Sequence, residues 1–424
     1  MRIGIVCPYS LTVPGGVQMQ VLALARALRR AGHPTRVLAP CDGPPPEAGV
    51  TPLGASIPTA ANGSIAPVAP DVSAQLRVLR ALRDEAFDVV HLHEPLAPGP
   101  TMTTLLVHPA PLIGTFHAAG GSLAYDLLNP GVRFLARRLD DRVAVSEDAR
   151  AMAESALGGH YDIVFNGVEV RRFDAAEPEP TEGPTVFFVG RHEPRKGLDV
   201  LCEAFASLSP RARLWVAGEG PRTAELRARY AGDHRIRWLG TIGEDEKIRR
   251  LRGADVFCAP SLHGESFGIV LLEAMAARTP VVASDIPGYA KVARGGRDAL
   301  LVPPGDAARL AEALQQVLRD RRVAERLVDS GRRRAEEFSM DRLAATYLER
   351  YRRLVAEVRV DAGAERPELT ERLRWLAAGS GPGPAGPPAG VVRAWSALAG
   401  TLARRGWRTP PPPGGPHERH PSPA

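Results

Sequence analysis

Glu265 and Glu273 stand eight residues apart in GESFGIVLLEAMAARTPVVASD, residues 264–285, with an apolar run between them. A carboxylate accepts hydrogen bonds only, so each can fix two hydroxyls. GESFG opens a segment with helical character, and the first amides of a helix are free to hold a phosphate. Acid, anion site, acid is the order a diphosphate between two hydroxyl-rich rings requires. The competing reading is an acid favoured by the helix dipole plus an unrelated surface glutamate.

GRHEPRKG, residues 190–197, puts Arg191, Arg195 and Lys196 within six positions. Of the 54 basic residues only Lys196, Lys247 and Lys291 are lysines, so each is a departure from the chain's habit. An ammonium is a compact point charge, suited to a phosphate that gathers charge as it leaves. A solvated basic turn is the plainer alternative. VPGGVQ, residues 13–18, precedes a helical pattern, and its glycines let the backbone approach an anion at a helix start. It lacks the G-x-G-x-x-G dinucleotide spacing, and an ordinary turn explains Gly15-Gly16 equally well.

These segments sit at the ends of short β-rich runs. IGIVCPY, TRVLAP, DVVHLHEP, PLIGTFHA, DRVAVS and DIVFNGV alternate with helical patterns. AAEPEPTEGP then reads as a linker, and the series restarts with TVFFVGR, RARLWVAGEG, RIRWLG, ADVFCAP, TPVVASD and ALLVPPGD. Strand–helix alternation builds parallel sheets covered on both faces. The expectation is an α/β protein of two doubly wound domains, 1–175 and 183–340, facing across a cleft that holds the ligand. Residues 341–360 read as a C-terminal helix. The tail 361–424 is Pro/Gly-rich and is expected to be disordered. Within it, 391–407 reads either as an amphipathic interfacial helix, with Val391, Trp395, Leu398 and Leu402 on one face, or as a weak helix in a loose tail.

Composition narrows the function classes. A net charge of +6 over 424 residues and 5% aromatics argue against nucleic-acid binding and leave room for a phosphate ligand or an acidic surface. Cys7, Cys41, Cys202 and Cys258 are scattered, as buried residues in a reducing compartment would be. The first apolar run is too short for a signal peptide, and none reaches the ~18 residues of a membrane span. The expected location is the cytoplasm.

Glu265-x7-Glu273 within ESFGIVLLEAMA, with GRHEPRKG upstream and PGGVQ near the start, resembles the family 4 retaining glycosyltransferases of GT-B fold. The resemblance covers about residues 1–350. With HLHEP and IPTAANGS added, it is strongest to the actinobacterial branch that mannosylates phosphatidylinositol. It implies two Rossmann-like domains, the first for acceptor and membrane, the second for the nucleotide sugar, with helix 341–360 packing back on the first. It implies GDP-mannose as donor, phosphatidylinositol as acceptor, and a monomer held peripherally on the inner face of the plasma membrane. Glu265 would hold mannose hydroxyls, with Phe267, Gly268 and Ile269 beside the donor and Glu273 on the ribose. Arg191 and Lys196 would neutralise the diphosphate, helped by the Gly16 amide. Ile242 and Lys247 match the base pocket. His117 would contact sugar or acceptor, and Tyr9, Gln18, Asn62 and Arg195 would line the acceptor side. Arg77, Arg80 and Arg83 would face the membrane. No D-x-D motif stands out, so no tightly bound cofactor and no active-site metal is expected, and arginine and lysine would stabilise the leaving group.

Some residues depart from that family. AAGGSLAYD follows His117 where a hydroxyl- and lysine-containing loop is usual, and Arg278 stands where a glycine is usual. The alternatives are another acceptor, a soluble inositol phosphate or a different glycolipid, and a nucleotide-sugar epimerase on the same fold. No proton-shuttling pair for an epimerase is evident.

Overall fold

A computed structural model describes residues 1–61, 64–117, 129–265 and 267–361, which lie within one compact unit, Met1–Leu369. The strands are β1 Ile3–Val6, β2 Thr35–Ala39, β3 Val50–Pro52, β4 Ile57–Ala61, β5 Ser64–Val68, β6 Val89–His93, β7 Leu112–Phe116, β8 Asp141–Ala144 and β9 Asp162–Ile163. After the crossing come β10 Thr185–Val189, β11 Arg213–Ala217, β12 Ile236–Gly240, β13 Val256–Ala259, β14 Val281–Ser284 and β15 Leu300–Val302.

Two parallel sheets result. The first has the order β3-β2-β1-β6-β7-β8-β9, the second β12-β11-β10-β13-β14-β15. The antiparallel β4–β5 hairpin stands apart from both. Strand β6, VVHLH, is buried at every position, histidines included. Both faces of each sheet are covered by helices, so strands read as unbroken apolar runs rather than alternating ones.

Each sheet reverses its strand order once, between β1 and β6 and between β10 and β13. In doubly wound sheets the crevice at the carboxyl ends of strands opens at that reversal. Most segments singled out in the sequence follow β1, β6, β7, β10 and β13, the strands at or next to the two reversals, while Ile242 and Lys247 follow the edge strand β12.

The chain crosses between the halves twice. Val168 and Ser339 pair there, through Val168 N–H to Phe338 O and Met340 N–H to Val168 O. The last described helix, Met340–Asp361, lies against helix Gly16–Arg30 and the first sheet. Met340, Ala344, Tyr347, Leu348, Tyr351 and Leu354 are buried there, one stripe at helical spacing. Ser146 caps helix Glu147–Leu157 and Asp71 caps Val72–Glu85, each accepting a bond from the amide three residues on.

Candidate active site

The second half contributes paired charges. Lys196 ends a 3-10 turn, Pro194–Lys196, and its Nζ lies 2.5 Å from Glu265 Oε1. The next residue, Gly197, has φ +65°, and a Cβ there would lie 2.0 Å from the Pro260 carbonyl oxygen, so only glycine lets the turn approach β13. Arg195 Nη1 lies 3.3 Å from the same Glu265 oxygen. The Ser261 hydroxyl donates to it at 3.2 Å and stands 2.9 Å from the Tyr289 hydroxyl. Burial, reinforced by the Glu265 charge, pushes the Tyr289 phenol above its ordinary pKa. Arg191 is exposed and pairs with Glu193 at 2.8 Å.

The second glutamate repeats the arrangement. Lys247 Nζ lies 2.9 Å from Glu273 and 3.0 Å from Glu244. Burial works against this ammonium, and the two carboxylates more than offset it, so its pKa is raised. Ile242 packs half-buried against the same core. Between the pairs, Gly268 at φ +79° leads into helix Ile269–Ala276, whose start has no side-chain cap and no acid in its first turn. Phe267 is buried and stacks on Phe165 with centroids 5.1 Å apart, joining the two halves at the base of the cleft. The third lysine, Lys291, also joins the halves, 3.0 Å from Asp148.

The first half contributes neutral rings. His117 follows β7; its backbone N–H donates to Glu94 Oε1 at 2.7 Å, and its Nε2 lies 2.8 Å from His93 Nδ1. Glu94 sits at φ +46°, a strained position for a non-glycine residue and one often found at working sites. His91, His93 and His117 form a ladder with centroid steps of 4.4 and 5.1 Å. His91 is anchored by the hydroxyls of Tyr351 and Thr115, each 2.7 Å away, and Thr115 in turn meets Tyr347 at 3.0 Å. Burial pulls the pKa of His91 and of His117 down to about 3, and that of His93 well below its ordinary value. The ladder is therefore neutral at physiological pH. A cavity of about 10 Å³ touches it, lined by His93, His117, Asn166 and Tyr347 among others.

Other singled-out residues are placed as follows. Gly16 begins helix Gly16–Arg30, exposed and with open space beside it, and that helix start has no side-chain cap. Tyr9 is half-buried and pairs with Val68; burial and the Glu94 charge raise its pKa. The Gln18 amide is directed at the carbonyls of Val13, 3.2 Å, and Ser10, 3.4 Å, so it shapes the turn after β1. Arg77 donates to Leu53 O, and Arg80 and Arg83 both pair with Asp84, which removes part of the positive charge expected there. Asn62, the 118–126 segment and the 391–407 segment lie outside the described residues, as does the rest of the 362–424 tail. Among the described residues no three His, Cys, Asp or Glu side chains converge as a metal site, and no helix is long and apolar enough to cross a membrane.

Sequence reading did not single out His91, His93, Glu94, Ser261, Tyr289 or the tyrosines of the last helix. The spacing His-x-His in HLHEP carried a usable signal, since alternate strand residues share a face.

Comparison with known proteins places the chain in a family. The family model for Glycosyltransferase Family 4 matches residues 14–172, and that for glycosyl transferases group 1 matches residues 169–334. The phosphatidyl-myo-inositol mannosyltransferase of Mycobacterium leprae is 42% identical over 364 residues, 83% of this chain and 96% of that protein. Its counterpart in Mycolicibacterium smegmatis is 39% identical over 385 residues, 87% and 98% of the two chains. Among solved structures, sucrose-phosphate synthase from Thermosynechococcus elongatus superposes with TM-score 0.62 at 21% identity, covering 84% of this chain and 99% of that one. Anabaena HepE in complex with UDP and glucose gives 0.62 at 18%, covering 82% and 98%. Two parallel sheets of this topology are those of a GT-B glycosyltransferase, and the chain belongs to glycosyltransferase family 4.

Proposed function

We propose that the protein transfers mannose, with retention, from GDP-mannose to the inositol ring of phosphatidylinositol at an anionic membrane surface. The observation that carries this reading is the double Lys–Glu pairing at both ends of the Phe267–Ile269 turn, in a chain 42% identical to a mannosyltransferase of that name. A diphosphate arriving at the free amides of the Ile269 helix competes with Glu265 for Lys196. That releases the Glu265 carboxylate for sugar hydroxyls and turns the Lys196 charge toward the leaving group. Glu273 and Lys247 play the corresponding parts for ribose and base, with Ile242 against the base. Gly16 and Arg191 add an amide and a charge at the diphosphate.

In the transfer step the mannose C1–O bond to the β-phosphate breaks and a C1–O bond to an inositol hydroxyl forms on the same face. The hydroxyl proton passes to the departing phosphate oxygen. Arg191 and Lys196 stabilise the charge that builds there. His117 faces the same reaction from the first half, as a neutral hydrogen-bonding group. Transfer is expected to persist in EDTA, because these cations carry the leaving-group charge.

The test is radiolabelled GDP-mannose with vesicles containing phosphatidylinositol, run beside UDP-glucose and beside vesicles lacking phosphatidylinositol. Label in the lipid phase only with GDP-mannose and phosphatidylinositol supports the reading. Equal transfer from UDP-glucose, or label in a water-soluble product, overturns it.

The membrane part rests on where apolar side chains are exposed. Among the described residues the exposed large hydrophobics are Val13, Ile57, Val72 and Leu76, all on the first half, and Val72 and Leu76 share their helix with Arg77, Arg80 and Arg83. Leu79 is half-buried. Each basic residue near an anionic surface adds about 1 kcal/mol, screened by salt. Changing the three arginines to serine should release the protein from anionic vesicles in a sedimentation assay; unchanged sedimentation refutes the surface.

A further inference from the structure

We infer that His93 is a positioning residue that fixes the tautomer of His117: His93 carries the proton of the bond between them, so His117 keeps its own proton on Nδ1. The geometry offers two arrangements of the 2.8 Å bond between His93 Nδ1 and His117 Nε2. Either His93 donates, or His117 does. His93 Nε2 is buried and has no hydrogen-bond partner. If His117 donated, the neutral His93 ring would carry its proton on Nε2, as an N–H enclosed without an acceptor. A buried orphan N–H is among the rarest features of folded proteins, rarer than an unfilled lone pair. Donation by His93 leaves only a lone pair on Nε2. The tautomer of one imidazole is set by the bond its other nitrogen makes.

The surroundings allow His93 little choice. Its ring lies between those of His91 and His117, with centroid distances of 4.4 and 5.1 Å. His91 cannot turn, because both its nitrogens are engaged, one by Tyr351 of the last helix and one by Thr115. Glu94 holds the His117 main chain at 2.7 Å, so backbone and ring are fixed separately. The last helix thus supports, through His91 and His93, the hydrogen-bonding character of a residue at the cleft. Nδ1–H makes His117 a donor toward a hydroxyl or phosphate oxygen, rather than an acceptor.

The experiment uses the full chain labelled with ¹⁵N-histidine, since protonated and bare ring nitrogens resonate far apart. The wild-type spectrum should show His117 with Nδ1 protonated and Nε2 bare. His93→Phe keeps a stacked ring and removes the bond, and its His117 should become a mixture of tautomers. His93→Asn, with an amide donor where Nδ1 was, should restore the single form. The kinetic arm rests on the mannosyl-transfer reading: kcat should fall about 10- to 100-fold in His93→Phe, as when an orienting partner behind a working histidine is removed. KM for the donor should hold, and His93→Asn should recover most of the rate. A wild-type His117 protonated on Nε2 overturns the inference, and so does a His93→Phe spectrum identical to wild type. If His93→Phe does not fold, the wild-type spectrum decides alone. If the wild-type protein moves no mannose yet shows Nδ1–H on His117, the functional reading fails and this inference stands.

Discussion

The two sheets share a plan and differ in what they place at the point of strand reversal. The second presents formal charges in pairs, Lys196 with Glu265 and Lys247 with Glu273, with these side chains 13 to 19% exposed. The first presents imidazoles that burial keeps neutral, His91 fully enclosed and held by two hydroxyls. The same backbone topology therefore supports opposite electrostatics. Preplaced charge suits a group whose own charge changes during reaction. Fixed neutral donors and acceptors suit a polyhydroxylated partner that must be oriented, since an unmatched buried polar group costs about 1–3 kcal/mol.

The sharpest way to break this contrast is Lys196→Ala. If the charged mouth acts on the leaving diphosphate, the change removes roughly 3 kcal/mol of transition-state stabilisation, about 10²-fold in kcat, by analogy with a lost oxyanion donor. Because Lys196 also neutralises Glu265, donor KM should rise as well, while the thermal melt stays put. Lys196→Arg should recover only part of the rate, the longer planar cation being misplaced. Steady-state GDP release with saturating acceptor measures both; turnover near wild type in Lys196→Ala would remove the charged mouth from the chemistry.

The neutral mouth is tested by acid. His91 is buried with a pKa near 3, so the folded protein leaves it unprotonated between about pH 6.5 and 3. The unfolded chain takes up that proton below about 6.5. The unfolded state thus binds more protons in this window, and stability falls as pH falls, by about 1.4 kcal/mol per pH unit for this one group. Carboxylates add their own slope, so the useful quantity is a difference. Denaturant unfolding of wild type and His91→Gln from pH 7 to 4.5 should show a shallower decline in the variant by about one proton. Parallel curves would mean that the ladder is solvated and not neutral by burial.

A change outside both mouths sharpens the comparison by affecting stability alone. Arg278 sits at φ +63°, a left-handed position that explains why glycine is the usual residue there. Its ion pair with Asp174, at 3.6 Å with the arginine 58% exposed, contributes little. Arg278→Gly should stabilise the fold by about 0.5–1 kcal/mol, strain relief exceeding the added freedom of the unfolded chain. Chemical denaturation measures it, and kcat should not move.

How far the sequence carried these conclusions depended on distance along the chain. Strand–helix alternation and the position of each motif after a strand are local patterns, and they located the cleft segments around Gly16, His117, Lys196 and Glu265. The unusual lysines marked Lys196 and Lys247. That each would meet one of the two motif glutamates was not legible, because the partners lie 69 and 26 residues apart and no periodicity connects them. The ladder was further out of reach: His91 meets Tyr351 across 260 residues. The pairing of Arg80 with Asp84 was legible, since the two lie four residues apart, a spacing that pairs on any helix. The β4–β5 hairpin was also foreshadowed by Asn62-Gly63 between two β-prone runs.

The helix Met340–Asp361 also has a consequence for biosynthesis. Tyr347, Tyr351 and Leu354 complete the apolar layer of a sheet whose first strand begins at Ile3. A ribosome emits that strand more than 330 residues before its final cover, at roughly 5–20 residues per second. During that interval one face of the first sheet is covered by helix Gly16–Arg30 without its second helix, whereas the second sheet, built from residues 185–302 and covered by helices ending at Glu337, has emerged in full. The part made first is therefore finished last. A nascent chain halted before residue 340 exposes the apolar strip beside helix Gly16–Arg30 that Tyr347, Tyr351 and Leu354 would cover, the kind of surface that chaperones retain.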